Sequence, residues 1–305
     1  MKLKKSFPLL GQVYPVLGNH EGFPCDQFDL KGDKHQWILD NASDLWRQWF
    51  TEESYISFRK YGRYSQLHPG TKLRIMTVNT FLYGVLNSYL WSDSTDPHHD
   101  LEWIEITLKN AEINNESVII IGHIPPTMTD SEISISITLD WQKRYHSIIE
   151  RYTNIIRAQM FGHTHQDNIQ VMRGAKNKDQ IIGLVYILPQ LGIFRSSNPS
   201  YRIFDVQTDN YAISNYHQYR LYINEANKAG TPKWRVAYIF KLFYNVSSME
   251  YSNVAKAIES FRTDPEFTKK AIEQMFQEGP DGTKWADKKS MHMSRHFELY
   301  VLHVH

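Results

Sequence analysis

The sequence has little cysteine, no long apolar run and almost no net charge. Its one cysteine, Cys25, has no cysteine partner within the chain, so an intrachain disulfide framework is excluded. No stretch approaches the roughly 20 apolar residues that a membrane-spanning helix needs. Lysine plus arginine number 34 against 33 aspartates plus glutamates, and no basic stripe is visible. A nucleic-acid polymer is therefore not expected as a partner, and 305 residues suffice for one large domain or two ordinary ones.

The N-terminal segment, MKLKKSFPLLGQVYPVLG, superficially resembles a secretory signal because positive residues precede apolar ones. Pro8 and Pro15 interrupt the apolar run, however, and no small-residue cleavage site follows it. We interpret this segment as part of the fold and predict no signal peptide in the chain. Three Asn-x-Ser triplets, at Asn41, Asn115 and Asn245, are potential glycosylation sites, although such triplets also arise by chance in a polar chain.

The first two-thirds of the chain repeats one pattern: a short apolar run, a glycine and a turn that contains histidine. Helical periodicity fills the intervals, and Asp100 is predicted as the N-cap of one helix. Alternating strands and helices indicate an α/β or mixed α+β architecture. Aromatic-rich strands and a helical tail follow, so we predict one domain at 1–207 and a C-terminal region at 208–305. The pattern segments are 12–20, 117–126 and 154–165, and the predicted helices are 40–50, 100–114 and 140–154.

The first pattern segment ends in Gly18-Asn19-His20-Glu21. An amide oxygen suits a metal ion, and an adjacent imidazole suits proton transfer. Glycine lets the backbone turn sharply enough to present both side chains. Taken alone, the motif is equally compatible with a turn that contains an incidental histidine.

The second and third segments end in Gly122-His123 and in Gly162-His163-Thr164-His165. The β-branched run before Gly122 predicts a strand that is buried on both faces. A single histidine at a strand end is more often structural than a ligand. In an extended segment, however, residues two apart project to the same side, so His163 and His165 are expected to face one site. Imidazole is a common ligand for zinc-type ions. All three motifs follow predicted strands, and sites form beyond the carboxyl ends of strands, so we predict one shared cleft.

In this order and at these separations, GNHE, GH and GHTH resemble the signature of the calcineurin-like metallophosphoesterases. Longer matches are similar to the acid sphingomyelinase-like phosphodiesterases within that superfamily. The matches are YPVLGNHE, STDP at 94–97, VIIIGHIPP, AQMFGHTH at 158–165 and NPSYRIF at 198–204. The resemblance spans roughly residues 10 to 245. It implies a β-sandwich flanked by helices that lacks the first strands, with a smaller mixed β and helical C-terminal region.

The resemblance also implies a role for each matched residue. Asn19, His123 and His163 would bind one metal ion, His165 would bind a second, and His20 would protonate the leaving alkoxide. The family uses two divalent ions, usually zinc in this branch, to bind the phosphate oxygens and to supply hydroxide. The implied substrate is a sphingomyelin-like phospholipid or a nucleotide-like phosphodiester, and the implied location is extracellular or lysosomal.

The sequence departs from the family pattern upstream of GNHE. Asp-x-His and Gly-Asp motifs, which supply carboxylate ligands in the family, have no counterpart there. Asp26, Asp29 and Asp33 come after GNHE, in the wrong order and on a predicted loop, and we do not expect them to replace the missing ligands. We favour a truncated sequence because the remaining motifs are intact. The alternative is a non-catalytic paralogue that keeps the fold as a binding module.

The chain alone is predicted to hold at most one metal ion tightly and to have little phosphodiesterase activity. The remaining donors are neutral, and two divalent ions held close together repel strongly unless carboxylates offset their charge. Elemental analysis of the purified chain should give no more than one zinc per molecule. Two tightly held ions per molecule would contradict this prediction.

Overall fold

The structure is a computed structural model that describes residues 11–29, 31, 33–92, 96–126, 128–129, 134–135, 137–194 and 197–279. The chain divides into two compact units. The first comprises Met1–Thr127 and Ile135–Ile156, and the second comprises Met128–Ser134 and Arg157–His305. Within the described ranges, no helix is both long and apolar enough to cross a membrane.

The first unit contains a mixed sheet in which β1 runs antiparallel to β2 and β2 runs parallel to β3. The predicted burial of the third of these strands on both faces is confirmed, because Val118, Ile119 and Ile120 are all buried. The elements are α1 (Gln36–Trp46), α2 (Glu52–Tyr61), β1 (Tyr64–Leu67), β2 (Leu73–Thr77), α3 (Asp100–Ile113), β3 (Ser117–Ile121) and α4 (Leu139–Arg151), with 3-10 turns at Arg47–Trp49, Thr80–Tyr83 and Ser88–Ser92. The short strands β4 (Met128–Thr129) and β5 (Ser134–Ile135) follow β3 along the chain.

The segment before the first motif is not a strand, which corrects the prediction for residues 12–20. Its contacts are made by side chains instead of by a backbone ladder. Gln12 Nε2 donates to the carbonyl of Trp49 at 2.6 Å, and the hydroxyl of Tyr64 donates to the carbonyl of Pro15 at 3.2 Å. Pro15 has no N–H to offer a neighbouring strand, so regular pairing fails at the centre of the segment.

Asp100 is not the N-cap of α3, which corrects a second prediction. The helix begins at Asp100, and the carboxylate of Asp96 accepts hydrogen bonds from the backbone N–H groups of Asp100 and Leu101 at 2.9 and 3.0 Å. The carboxylate of Asp100 is fully buried and forms an ion pair with Arg63. Asp96 belongs to the STDP motif, and residues 94–95 of that motif lie outside the described residues. The carboxylate of Asp100 is therefore engaged by its buried counter-ion Arg63, and the carboxylate of Asp96 caps the helix instead.

In the second unit, β6 pairs parallel with β8, and β8 pairs antiparallel with β7. A smaller antiparallel sheet has the order β11-β10-β9. The predicted mixed α/β class, with a smaller antiparallel region and a helical tail, is confirmed. The domain boundary at residue 207 stays a prediction. The elements are β6 (Ile156–Phe161), β7 (Asn168–Arg173), β8 (Ile181–Ile187), β9 (Ser200–Val206), β10 (Ile213–Leu221), α5 (Ile223–Ala229), β11 (Trp234–Ile239), α6 (Phe240–Phe243), α7 (Tyr251–Glu259), a 3-10 turn at Ser260–Arg262 and α8 (Pro265–Met275).

A buried ion pair ties the antiparallel sheet to the segment that follows the GHTH motif. Arg202 on β9 contacts Asp167, and their side chains are 1% and 4% exposed. The hydroxyl of Tyr238 donates to the other carboxylate oxygen of Asp167 at 2.6 Å, and the ring of Tyr216 lies 3.8 Å from the guanidinium. Burial alone would lower the pKa of Arg202, but the charge of Asp167 raises it above the ordinary value, so the arginine stays charged.

Replacing Arg202 by Met is predicted to lower the free energy of unfolding by about 3 to 5 kcal/mol, because Asp167 would be left buried without its cation. Arg235→Met is the matched control. Arg235 pairs with Glu225 at 2.8 Å, but both side chains are more than half exposed, and such pairs contribute about 0 to 1 kcal/mol. Urea unfolding measures both variants. Equal losses for the two arginines would contradict this ranking.

Candidate functional site

The loop after Gly18 holds the amide of Asn19 between two partners in the first unit. Asn19 is buried, and its Nδ2 donates to Oδ1 of Asp26 at 2.6 Å. Its Oδ1 lies 2.7 Å from Nε2 of His123. An amide oxygen can only accept, so Nε2 carries the proton in this contact. The first two motifs are therefore brought together at a single oxygen–nitrogen pair.

His123 is positioned by the turn that follows β2. Its backbone N–H and that of Ile124 both donate to Oγ1 of Thr80, at 3.3 and 2.8 Å. The N–H of Val78 donates to the carbonyl of Ile121 at 2.9 Å, which continues the parallel pairing of β2 and β3 past their ends. The histidine thus projects beyond the carboxyl end of a buried strand, as the sequence predicted.

Two glycines permit the close packing of this loop. A Cβ on Gly18 would lie 3.1 Å from Cε1 of His123 and 3.0 Å from Oε2 of Glu21. A Cβ on Gly22 would lie 2.5 Å from the ring of Phe81, a distance that real Cβ atoms do not tolerate. Glycine at position 18 therefore brings the backbone against the imidazole, and glycine at position 22 seats the loop on the core.

The Asn19–His123 pair fits one edge of a metal site. Two ligands at about 2.1 Å from a shared zinc ion lie roughly 3 to 3.4 Å apart. The observed separation of 2.7 Å between Oδ1 and Nε2 would have to open by less than about 1 Å. Binding would also replace the proton on Nε2, so ion uptake at this pair would release a proton.

His20 is exposed and contacts the neighbouring loop residue Cys25. Its Nδ1 lies 3.2 Å from the thiol sulfur, and that sulfur lies 3.2 Å from Oδ2 of Asp26. Partial burial and the hydrogen bond to Asp26 raise the pKa of the Cys25 thiol, which favours the neutral form. His20 therefore has one ring nitrogen near a neutral thiol in a position that solvent can reach.

The GHTH motif in the second unit is a turn, not an extended segment, which corrects the geometry expected for it. His163 and His165 both have positive φ, at 70° and 62°. The N–H of Thr164 donates to the carbonyl of Gly162 at 2.8 Å, so a γ-turn is centred on His163. Left-handed backbone at a non-glycine residue costs of order 1 to 3 kcal/mol, and such strain concentrates at functional sites.

His165 is held from the helical tail of the second unit. Its carbonyl accepts a hydrogen bond from Nε2 of Gln277 at 2.8 Å, and its ring packs edge-on against Phe194 with centroids 5.1 Å apart. The next residues lead to Asp167, whose N–H donates to the carbonyl of Met275 at 3.0 Å. The end of α8 therefore supports the third motif.

The full ligand set implied by the motifs stays a prediction. Within the part of the chain that the structure describes, no group of three or more histidine, cysteine, aspartate or glutamate side chains is arranged to hold a metal ion. The first two motifs contact each other through the amide of Asn19 and the imidazole of His123.

Sequence reasoning missed the residues that support the motifs. Thr80 had a signal, because it lies three residues after the end of β2. Asp26 was not expected to be a ligand because it follows GNHE on a loop. Its backbone has a positive φ of 65°, and its carboxylate contacts the amide of Asn19. Gln277 lies 112 positions from its partner, and no local pattern indicates that contact.

Two family matches cover most of the chain. The calcineurin-like phosphoesterase family matches residues 1–167, more than half of the 305. The chain belongs to the calcineurin-like phosphoesterases. The acid sphingomyelin phosphodiesterase C-terminal region matches residues 182–272. The combination is that of the acid sphingomyelinase-like branch, as the motifs indicated.

Curated members of this branch are similar over most of the chain. Sphingomyelin phosphodiesterase A of Dictyostelium discoideum is 32% identical over 265 residues, 86% of this chain and 44% of its own length. The cyclic GMP-AMP phosphodiesterase SMPDL3A of Bos taurus is 32% identical over 271 residues, 85% of this chain and 58% of its own length. Human sphingomyelin phosphodiesterase is 29% identical over 235 residues, which are 74% of this chain and 36% of its own length. The chain spans about half the length of the curated relatives it matches.

Replacing Gly18 by Ala is predicted to weaken zinc binding by about tenfold or more, because the added Cβ displaces the imidazole of His123, and disturbing the support of a ligand typically costs 10- to 100-fold. Gly11→Ala is the matched control, since a Cβ there meets nothing within 4 Å. Calorimetric titration with Zn²⁺ measures both. An unchanged affinity in the Gly18 variant would show that the close approach does not position the ligand.

Proposed function

We propose that this phosphoesterase is a zinc-dependent phosphodiesterase, with Asn19, His123 and His163 as ligands of one ion, His165 as a ligand of a second and His20 as the general acid. The observation that carries the proposal is the convergence of Asn19 Oδ1 and His123 Nε2, 2.7 Å apart, from two motifs 104 residues apart. An oxygen and an imidazole nitrogen at the end of a buried strand form a donor set that suits zinc.

The protein residues would hold the ions in position, and a bound divalent ion would supply the nucleophile by lowering the pKa of water towards about 7. The buried amide of Asn19 offers a neutral donor whose orientation is fixed on both sides. His123 is held by the backbone contacts of its own turn with Thr80, so little rearrangement is needed when an ion binds.

His20 is the proton donor in this proposal. The imidazolium gives its proton to the leaving oxygen as the bond between phosphorus and that oxygen breaks, and the product leaves as an alcohol. An alkoxide is a poor leaving group, so a positioned acid contributes typically 10²- to 10⁴-fold. His20 adjoins Asn19 in sequence and is exposed, and both features support this role.

The substrate we propose is a phosphodiester with an alkyl leaving group. The named relatives include both sphingomyelin phosphodiesterases and cyclic GMP-AMP phosphodiesterases, and these two substrate types share that bond. The same relatives motivate an extracellular or lysosomal location as part of the proposal. Two hydrolysis assays in the presence of Zn²⁺, one with sphingomyelin micelles and one with cyclic GMP-AMP, separate the substrate types.

Replacing His20 by Gln is expected to lower kcat on the better of these substrates by about 10²- to 10⁴-fold. The same variant should lose less than about tenfold on bis(4-nitrophenyl) phosphate, because nitrophenolate departs without a proton. His99→Asn is the matched control. His99 is an exposed loop histidine at φ 55°, and asparagine tolerates that backbone.

The contrast between leaving groups tests the role of His20. Equal losses on both substrates would rule out proton donation. Because the chain alone is predicted to have little activity, the assays also use the chain extended by the family's upstream Asp-x-His and Gly-Asp carboxylates. An extended, folded chain that binds zinc and hydrolyses none of the three esters would overturn the catalytic proposal and favour the binding module.

A further inference from the structure

Asp26 contacts Asn19 twice. Its Oδ1 accepts a hydrogen bond from Nδ2 of Asn19 at 2.6 Å, and its own N–H donates to the carbonyl of Asn19 at 3.0 Å. The two residues are seven positions apart, so the backbone of the loop closes on itself at this point. One neighbour therefore fixes both the side-chain amide and the backbone carbonyl of Asn19.

The carboxylate determines which way the Asn19 amide faces. An asparagine side chain has two nearly isosteric ends, one that donates and one that accepts. A carboxylate accepts only, so Asp26 binds the NH₂ end and leaves the oxygen turned towards Nε2 of His123. With the amide reversed, the NH₂ group would face the imidazole and any cation there, and an amide nitrogen with two hydrogens has no lone pair suited to a metal ion.

Asp26 itself is engaged on both oxygens. Oδ1 accepts from Asn19, and Oδ2 accepts from the thiol of Cys25 at 3.2 Å. Its φ of 65° lies in the left-handed region, which aspartate and asparagine adopt more readily than most residues. The carboxylate is therefore built into the loop as an acceptor for Asn19 and its neighbour.

We infer that Asp26 is a positioning residue that orients the oxygen of Asn19 towards the ion. The inference rests on the proposed function only in taking Asn19 as a ligand. Partners that hold a metal ligand in orientation typically affect metal affinity by 10- to 100-fold when removed. The carboxylate acts on the ion through Asn19 and does not bind the ion itself.

Two substitutions distinguish the effect of the acceptor oxygen of residue 26 from the effect of its backbone conformation. Asp26→Gly removes the carboxylate while keeping the positive φ accessible, and Asp26→Asn keeps an acceptor oxygen in a residue that tolerates the same φ. Asp29→Asn is the matched control. Asp29 lies on the same loop, and its Oδ1 accepts from the backbone N–H of Lys31 at 2.9 Å, away from Asn19.

The experiment is calorimetric titration of the full chain and its variants with Zn²⁺, with thermal unfolding to verify folding. Asp26→Gly is expected to weaken zinc binding by about 10- to 100-fold, whereas Asp26→Asn stays within about threefold of wild type and Asp29→Asn is unchanged. Rescue by asparagine is the readout that a merely structural carboxylate or a direct carboxylate ligand would not give.

The possible outcomes distinguish this inference from the proposed function. Wild-type zinc binding with an unaffected Asp26→Gly variant overturns the positioning role alone. Equal losses in the glycine and asparagine variants also overturn it, because they assign the effect to the charge of the carboxylate. A wild-type chain that binds no zinc overturns the metal centre together with the positioning role. The expected pattern of zinc affinities, together with an inactive chain that carries the family's upstream carboxylates, supports Asp26 and contradicts only the proposed reaction.

Discussion

The contact between the amide oxygen of Asn19 and Nε2 of His123 is the interaction on which the first unit's part of the site depends. A buried amide must satisfy its donor and its acceptor, and here Asp26 takes the donor end while the imidazole takes the acceptor end. Because each partner binds the end that its chemistry requires, the motif has one stable arrangement. That arrangement brings an oxygen and a nitrogen to within 2.7 Å of each other.

The surrounding fold keeps these atoms in place through short local contacts. Gly22 lets the loop approach Phe81 more closely than any side chain would allow, and Gly18 lets it approach His123 more tightly than most side chains do. The hydroxyl of Thr80 fixes the backbone at His123, and the parallel pairing of β2 with β3 fixes the end of the strand from which that residue projects. In the second unit, the strained turn at His163 is followed four residues later by the buried Asp167–Arg202 pair.

The sequence was most informative where chemistry and burial reinforce one another. The β-branched run before Gly122-His123 is buried on both faces as predicted, and the mixed α/β class follows from the spacing of such runs. It was less informative where side chains replace regular structure. The segment before Asn19 carries Pro15 and is held by hydrogen bonds from Gln12 and Tyr64, which no periodicity reveals. The left-handed backbone of the GHTH turn and the role of Asp26 depend on tertiary contacts, so residue type alone could not show them.

Anomalous diffraction at the zinc absorption edge, from crystals of the chain grown with Zn²⁺, tests this arrangement most directly. We expect an ion about 2.0 to 2.2 Å from both Oδ1 of Asn19 and Nε2 of His123, with Nδ2 of Asn19 still bound to Asp26. Zinc bound elsewhere, with the hydrogen bond between Asn19 and His123 intact, would contradict this expectation.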